Sequence, residues 1–294
     1  MASIHLLASP KLKQLLVPLA VSQSQPPPPP HRALPFRISS SNNKEKKRLL
    51  IKCQAAADDS SSQPLFQGIY GPWSVDSDDV REVILYRSGL VTAAASFVFS
   101  ASTAFLPDHS FLADLIKPNF DFLYALGAAG LGLSLFLIHI YVTEIKRTLQ
   151  LLWGLGVLGS IATSFTLAEP AGQNLVQYVV DHPTAVWLVG PLFAAFTGLV
   201  FKEGLCYGKL EAGVLTFVVP AVLLGHLTGL MDDGLKTTLL GLWMALFVVF
   251  AGRKFTQPIK DDIGDKSVFI FNSLPEEEKK LNNKNWLIRC SIEN

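Results

Sequence analysis

The stretch FLYALGAAGLGLSLFLIHIYVT, which runs from Phe122 to Thr143, contains no aspartate, glutamate, lysine or arginine. A helix rises ~1.5 Å per residue, so about 20 residues cross the ~30 Å hydrocarbon layer of a bilayer. A helix of a soluble protein would instead carry charged residues at helical spacing along one face. The stretch therefore predicts a transmembrane helix.

Five more uncharged intervals of similar length occur along the chain. They are Ser88–Pro107, Thr148–Ala168, Thr184–Phe201, Ala212–Met231 and Thr237–Gly252. The last is short, but the long side chains of Lys236 and Arg253 at its ends can reach toward the headgroups. The sequence thus predicts an all-α polytopic membrane protein, with a bundle of six transmembrane helices over residues 88–252.

The first 53 residues have a different composition. They are basic and rich in serine, they contain the run Pro26–Pro30, and Glu45 is their only acidic residue. This composition is typical of an organelle transit peptide, and the sequence around Cys53 resembles a plastid processing site. A secretory signal is excluded because Pro18 interrupts the short apolar run. The alternative is a disordered cytosolic tail.

Charge distribution limits the possible partners. The acidic residues lie almost entirely beyond the leader, so the chain without its leader is acidic overall. Nucleic-acid binding depends on a basic face that displaces counterions. We therefore expect no nucleic acid as a partner.

The basic residues near the six spans alternate between the two sides of the predicted membrane. On the opposite side from the N-terminus the sequence places only Lys117 and Lys236. The side of the N-terminus carries Arg81, Arg87, Lys146, Arg147, Lys202, Lys209, Arg253, Lys254, Lys260 and Lys266. By the positive-inside rule, both termini face the stroma of the chloroplast, in either the thylakoid or the inner envelope.

Two stromal segments flank the bundle in this prediction. Residues 54–87 form a linker with a short amphipathic helix, within the sequence VDSDDVREVILYRSG of residues 75–89, that lies along the membrane surface. Residues 253–294 form a polar tail, in which the apolar run Ser267–Phe271 predicts a strand.

The candidate binding residues are His139, His226, Asp232 and Asp233. A histidine inside a membrane span is a candidate ligand for a metal, haem or chlorophyll, or a candidate proton carrier. The predicted topology separates the two histidines, which favours bonding to neighbouring helices over one shared site. Asp232 and Asp233 belong to an acidic rim near His226 that could attract cations, or that simply reflects the exclusion of basic residues from translocated loops.

Other motifs give no catalytic assignment. The sequence GLGVLG at Gly154–Gly159 lies within a span, where glycines allow close helix packing, and so does not predict a dinucleotide site. Pro191 and Pro220 interrupt two spans and indicate either kinks or a transport pathway. Hydrolase, zinc-protease and P-loop motifs are absent, and the spacing of the cysteines supports neither a metal nor a disulfide framework.

Four stretches resemble a family of integral membrane proteins that is shared by cyanobacteria and plastids and classed as a domain of unknown function. They are GIYGPWSVDSDDVREVILYRSGL, HIYVTEIKRTLQLLWGLG, FKEGLCYGKLEA and DDIGDKSVFIFNSLPEEEKK, in that order between about Phe66 and Leu281. The resemblance implies a membrane protein of photosynthetic lineage but no reaction.

These observations favour a non-catalytic factor that supports a chloroplast membrane complex and has no cofactor. Its expected partners are the lipid bilayer and either other membrane proteins or further copies of the chain. The first alternative is a small solute or ion transporter. The second is a pigment- or haem-binding protein, or an intramembrane enzyme, that uses His139 or His226.

Overall fold

The computed structural model describes residues 64–107 and 110–279. Six of its helices are long and apolar enough to cross a membrane, which confirms the predicted all-α polytopic fold. The predicted transit peptide, residues 108 and 109, and the end of the predicted tail lie outside the described residues.

The described chain begins with a small antiparallel hairpin, in which Phe66 pairs with Trp73. Its strands are β1 (Leu65–Gln67) and β2 (Pro72–Ser74). The six long helices are α1 (Ser77–Ala101), α3 (Phe120–Leu137), α4 (Thr143–Thr163), α6 (Val186–Tyr207), α7 (Leu210–Thr228) and α8 (Asp233–Arg253). Four shorter helices are α2 (Phe111–Ile116), α5 (Leu175–Asp181), α9 (Ile259–Ile263) and α10 (Lys266–Ser273).

The predicted separate surface helix over residues 75–89 is wrong, because this segment is the first part of α1. The carboxylate of Asp76 accepts hydrogen bonds from the N–H groups of Asp78 and Asp79. The carboxylate of Asp79 accepts one from the N–H of Asp76, which completes a capping box. Helix α1 continues without a break from this cap to Ala101 because no helix-breaking residue intervenes.

The strand predicted over Ser267–Phe271 is also wrong, since these residues lie in α10. The carboxylate of Asp265 caps this helix by accepting a hydrogen bond from the N–H of Ser267. The described part of the predicted tail is therefore folded, and Lys254 and Asp262 within it are buried.

The long helices pack in a closed order. Helix α1 contacts α3 on one side and α8 on the other, α8 contacts α7, α7 contacts α6, and α6 contacts α4. Contacts of α3 with α4 and α6 complete the bundle. Its core contains Leu90, Leu131, Leu192, Leu215 and Phe247, all fully buried.

Small residues set the closest helix contacts, as the sequence predicts. A Cβ atom on Gly89 of α1 would lie 2.5 Å from the carbonyl oxygen of Gly130 in α3. Gly156 and Gly159 of the GLGVLG motif likewise face the α6 backbone at Leu192 and Leu188. Replacement of these glycines would force the helices apart, which is why small residues occur where transmembrane helices cross.

Successive long helices alternate in direction, so the bundle has two ends. We call the end at which α1, α4 and α7 begin the basic end, and the opposite end the acidic end. The hairpin, α9 and α10 lie at the basic end, while α2 and α5 lie at the acidic end.

Candidate functional site

His226 lies in the last turn of α7, at the acidic end. Its Nε2 atom is 3.0 Å from the backbone oxygen of Val179 in α5. Because a carbonyl oxygen only accepts hydrogen bonds, this contact requires a proton on Nε2. His226 therefore ties the short helix α5 to α7.

His139 lies between α3 and α4, at the basic end. Its Nε2 atom is 3.4 Å from Oε2 of Glu82, and the ring packs edge-on against Phe269 of α10. Burial lowers the pKa of His139, and the neighbouring carboxylate of Glu82 offsets only part of this effect. The two histidines are thus at opposite ends of the bundle, and the structure does not bring them together.

The two predicted aspartates lie at the start of α8. The carboxylate of Asp232 accepts a hydrogen bond of 2.8 Å from the N–H of Leu235, which makes it the N-cap. Asp233 is fully exposed and lies 3.3 Å from the ammonium of Lys236. An exposed ion pair of this kind contributes little. These carboxylates therefore serve the start of a helix.

The densest polar cluster of the described chain lies at the basic end, where it surrounds Glu203 of α6. This carboxylate is fully buried. It accepts hydrogen bonds from Lys209 at 2.6 Å, from Lys254 at 2.8 Å and from the hydroxyl of Tyr86 at 3.0 Å. Lys202 lies 3.4 Å away. One glutamate thus joins α1, α6 and the segments that follow α6 and α8.

Asp262 of α9 extends the cluster. Its carboxylate pairs with Lys254 and accepts a hydrogen bond of 2.6 Å from Nε of Arg87 in α1. Arg87 also donates to the backbone oxygen of Pro258 at 3.1 Å. Lys254 therefore bridges two buried carboxylates. We call the set Arg87, Lys202, Glu203, Lys209, Lys254 and Asp262 the basic-end network.

Polar and aromatic neighbours stabilise the excess of positive charge in the basic-end network. The ammonium groups of Lys202 and Lys209 lie 4.7 and 5.0 Å from the centre of the Tyr207 ring. Lys209 also donates to the amide oxygen of Gln257 at 2.5 Å. Burial lowers the pKa of Lys209, although Glu203 opposes the shift.

A second ionic contact holds α10 to the start of α1. Lys266 lies 2.7 Å from Asp76 and 2.6 Å from Asp79, the two residues of the α1 capping box. The hydrogen bond from Lys266 lowers the pKa of Asp76. In turn, the two carboxylates raise the pKa of Lys266 and outweigh the opposing effect of burial. Tyr70 of the hairpin stacks on Phe271, with ring centres 3.9 Å apart.

The reactions that the basic-end network could support are limited, because its charged side chains already pair with one another. Both carboxylates contact at least two cationic side chains. Within residues 64–107 and 110–279, histidine, cysteine, aspartate and glutamate form no group of three that could hold a metal ion. The geometry suits the joining of chain segments better than proton transfer to a substrate.

Sequence reasoning missed this network because it counted Lys202 and Lys209 among the basic residues of a segment between spans and Lys254 among those of the polar tail. The predicted span Thr184–Phe201 ends two residues before Glu203. Helix α6, which forms this span, continues to Tyr207. An available signal was the presence of both carboxylates within the stretches FKEGLCYGKLEA and DDIGDKSVFIFNSLPEEEKK that carry the family resemblance.

Comparison with known proteins supports the membrane assignment. Residues 133–271, just under half of the chain, match the model of a family described as uncharacterized integral membrane protein (DUF2301). The matched range includes five of the six residues of the basic-end network. No curated protein and no solved structure matches the chain.

Proposed function

We propose that this integral membrane protein is a non-catalytic factor that supports a larger membrane complex of the chloroplast, with both termini in the stroma. The observation that carries the proposal is the basic-end network. Its buried acids and bases pair with one another and so hold α1, α6, α8 and α9 in fixed positions. A basic end that is held rigid from within in this way suits a partner in the stroma or at the membrane surface.

Chloroplast location is supported by the composition of the first 53 residues. The test is to fuse residues 1–60 to a fluorescent protein and to follow import into isolated chloroplasts. We expect import and cleavage near Cys53. A matched fusion in which the basic residues of this segment are replaced by glutamine is expected to stay outside, because import signals of this class depend on a basic, acid-poor composition. Failure of the unmodified fusion to enter the isolated chloroplasts would contradict the proposal.

The supporting role is tested by purifying the tagged protein from chloroplast membranes in a mild detergent. We expect other membrane proteins to co-purify in fixed stoichiometry. The matched control carries Lys266→Met, which releases α10 from Asp76 and Asp79 but leaves the basic-end network intact. If partners bind the folded basic end, this control loses part of them. Purification of the chain as an oligomer of itself alone would contradict the supporting role.

Transport is the second candidate function, and it rests on the two prolines within the spans. The structure keeps α6 and α7 continuous through Pro191 and Pro220, so neither helix unwinds there. Each proline still leaves one backbone carbonyl without its usual helical donor. Ion or solute flux into vesicles that contain only the purified protein would favour this function over the supporting role.

A further inference from the structure

A large cavity lies within the bundle at the acidic end, opposite the basic-end network. Its volume is about 590 Å³, which falls within the range of ~300–1,000 Å³ typical of small-molecule sites. The walls come from the end of α1, the second half of α7, the first two or three turns of α3, α6 and α8, and the short helix α5. Because all these elements meet at one end, the cavity occupies the half of the bundle on that side.

The lining indicates the class of molecule that would fit. Most of it is aliphatic or aromatic, with Phe97, Phe193, Val222 and Leu223 among the lining residues. Residues with polar side chains are a minority of the lining, and among them Lys117 is half-buried while Gln177 and Asp181 of α5 are exposed. A water-filled cavity would need two to four polar partners for each ordered water, which an apolar wall does not supply. The interior therefore suits a hydrocarbon chain.

One polar group on the wall has no partner. Trp243 of α8 lines the cavity and is 7% exposed, and its ring packs against Phe247. Its indole N–H has no hydrogen-bond partner among the described residues, and the nitrogen is not fully enclosed by protein atoms. An indole N–H is a donor only, and it usually finds an acceptor when it is buried. A ligand with an oxygen acceptor would supply one.

The outer wall of the cavity is held in place by two hydrogen bonds. The N–H of Leu175, at the start of α5, donates to the carboxylate of Asp121 at 2.8 Å. The middle of α5 is held by the contact between His226 and the oxygen of Val179. These bonds keep α5 in position over the space, so the cavity is a built feature of the fold. His226 is thus a positioning residue beside the cavity.

We propose that this cavity binds a long acyl chain, whose carbonyl oxygen accepts a hydrogen bond from the indole N–H of Trp243. The apolar walls bury the hydrocarbon. The same acyl chemistry occurs in a free fatty acid and in a bilayer glycerolipid. The proposal is independent of the supporting role and does not require any partner protein.

The test uses the full chain in lipid nanodiscs and a palmitic acid that carries a diazirine in the middle of its chain. After illumination, labelled peptides are mapped by mass spectrometry. We expect labelling of Val219–Leu223 in α7 and of Leu240–Trp243 in α8, which excess unlabelled palmitic acid suppresses. Absence of label from these segments, with this probe and with a phosphatidylcholine that carries the same diazirine chain, would overturn the proposal.

Two matched variants separate the cavity from the lipid-facing surface. Val222→Trp fills the cavity, whereas Phe217→Trp places the same ring on the exposed face of the same helix, where Phe217 is 77% exposed. We expect the cavity label to be lost in the first variant and kept in the second. Equal labelling in both would show that the probe reacts only from the bilayer, and would overturn the proposal.

Trp243→Phe tests the hydrogen bond, because it removes the N–H group but keeps an aromatic ring in the cavity wall. This test does not depend on the folding of the Val222 variant. We expect palmitic acid to bind about two- to tenfold more weakly, as the loss of one hydrogen bond implies. A diazirine-bearing alkane of the same length, which has no carbonyl, is expected to bind equally to both proteins. If both probes weaken equally, Trp243 provides only packing and the assigned contact is wrong.

The two probes also identify the source of the chain. Labelling by the free acid but not by the phosphatidylcholine would assign the cavity to a diffusible fatty acid. Labelling by both would assign it to the acyl region shared with bilayer lipids. Either result supports an acyl site.

Discussion

Glu203 shows how a charged side chain can be kept inside a membrane protein. A buried carboxylate without partners would be neutralised or would destabilise the fold by several kcal/mol. Here Lys209, Lys254 and the hydroxyl of Tyr86 all contact the same carboxylate, and Lys254 continues to Asp262. The arrangement is mutually dependent, because removal of one carboxylate leaves two ammonium groups buried beside each other.

We predict that Glu203→Gln destabilises the protein by about 3–5 kcal/mol, because it breaks a buried ion pair and leaves the charge of its partners uncompensated. Thermal unfolding of the purified protein in detergent measures the effect. A second change, Lys209→Met in the same chain, removes one of the unpaired charges and is expected to restore part of the loss. Additive losses in the double variant would contradict the proposed coupling.

The matched control for this prediction is Glu211→Gln. Glu211 is also buried, but its one ionic partner, Arg253, is half exposed, and its Oε1 atom has no hydrogen-bond partner among the described residues. We expect a loss of no more than about 1 kcal/mol. If both variants lose the same amount of stability, the burial of each carboxylate, and not the basic-end network, explains the loss.

The sequence predicted some residue roles and missed others for a physical reason. Asp232 and Asp233 could be placed at a span end, because a loop boundary can be read from the loss of apolar residues. Two partners of Glu203 could not be predicted, since Tyr86 and Lys254 are remote from it in sequence and meet it only after the helices pack. From sequence alone, a charged residue that lies just outside an apolar run cannot be distinguished from an exposed loop residue, because its neighbours in the fold are unknown.

Helix α6 contacts three other long helices of the bundle, and adjacent residues on its two faces differ in burial. Ala195 is fully buried, whereas its neighbour Ala194 is exposed. Gly198 of the same helix packs against Leu149 of α4, whereas Ala194 lies on the outward face. An uncharged span gives little periodicity, so the sequence does not tell which of two adjacent alanines faces inward.

We predict that Ala195→Leu destabilises the protein by about 1–3 kcal/mol, since it inserts a larger side chain into a filled core. Ala194→Leu introduces the same atoms on the exposed face and is expected to change stability by less than about 0.5 kcal/mol. The measurement compares the melting temperatures of the two purified variants. A reversed order would show that α6 is rotated relative to the structure.

Element boundaries were predicted to different accuracy at the two ends. At the basic end α1 starts at Ser77 and α6 ends at Tyr207, beyond their uncharged intervals, whereas α3 ends at Leu137, six residues before its interval does. The extensions of α1 and α6 contain Arg87, Lys202 and Glu203, which belong to the basic-end network. Apolar composition marks the part of a helix that contacts hydrocarbon, but it does not mark the part that is buried by other polar segments.

At the scale of the whole molecule, the two ends of the bundle differ. The basic end is filled by buried polar side chains, whereas the acidic end contains an apolar cavity. Part of the positive charge at the basic end is structural, because Arg87, Lys209 and Lys254 pair with buried carboxylates. During insertion, however, these residues still count as basic residues flanking the spans. The same side chains can therefore direct orientation first and hold the folded bundle afterwards.

The proposed orientation gives a prediction for sealed thylakoids, or stroma-side-out inner-envelope vesicles, isolated from plants that express the protein. One variant carries a specific protease site between Pro275 and Glu278, beyond α10, and the other carries it at Gly172, in the exposed turn before α5. Since basic residues are retained on the stromal side, external protease should cut the first variant and leave the second intact. Detergent should expose both sites, which controls for access in the folded chain. Cleavage at Gly172 alone in sealed membranes would reverse the orientation. It would place the basic-end network on the side away from the stroma, where the positive-inside rule predicts few basic residues.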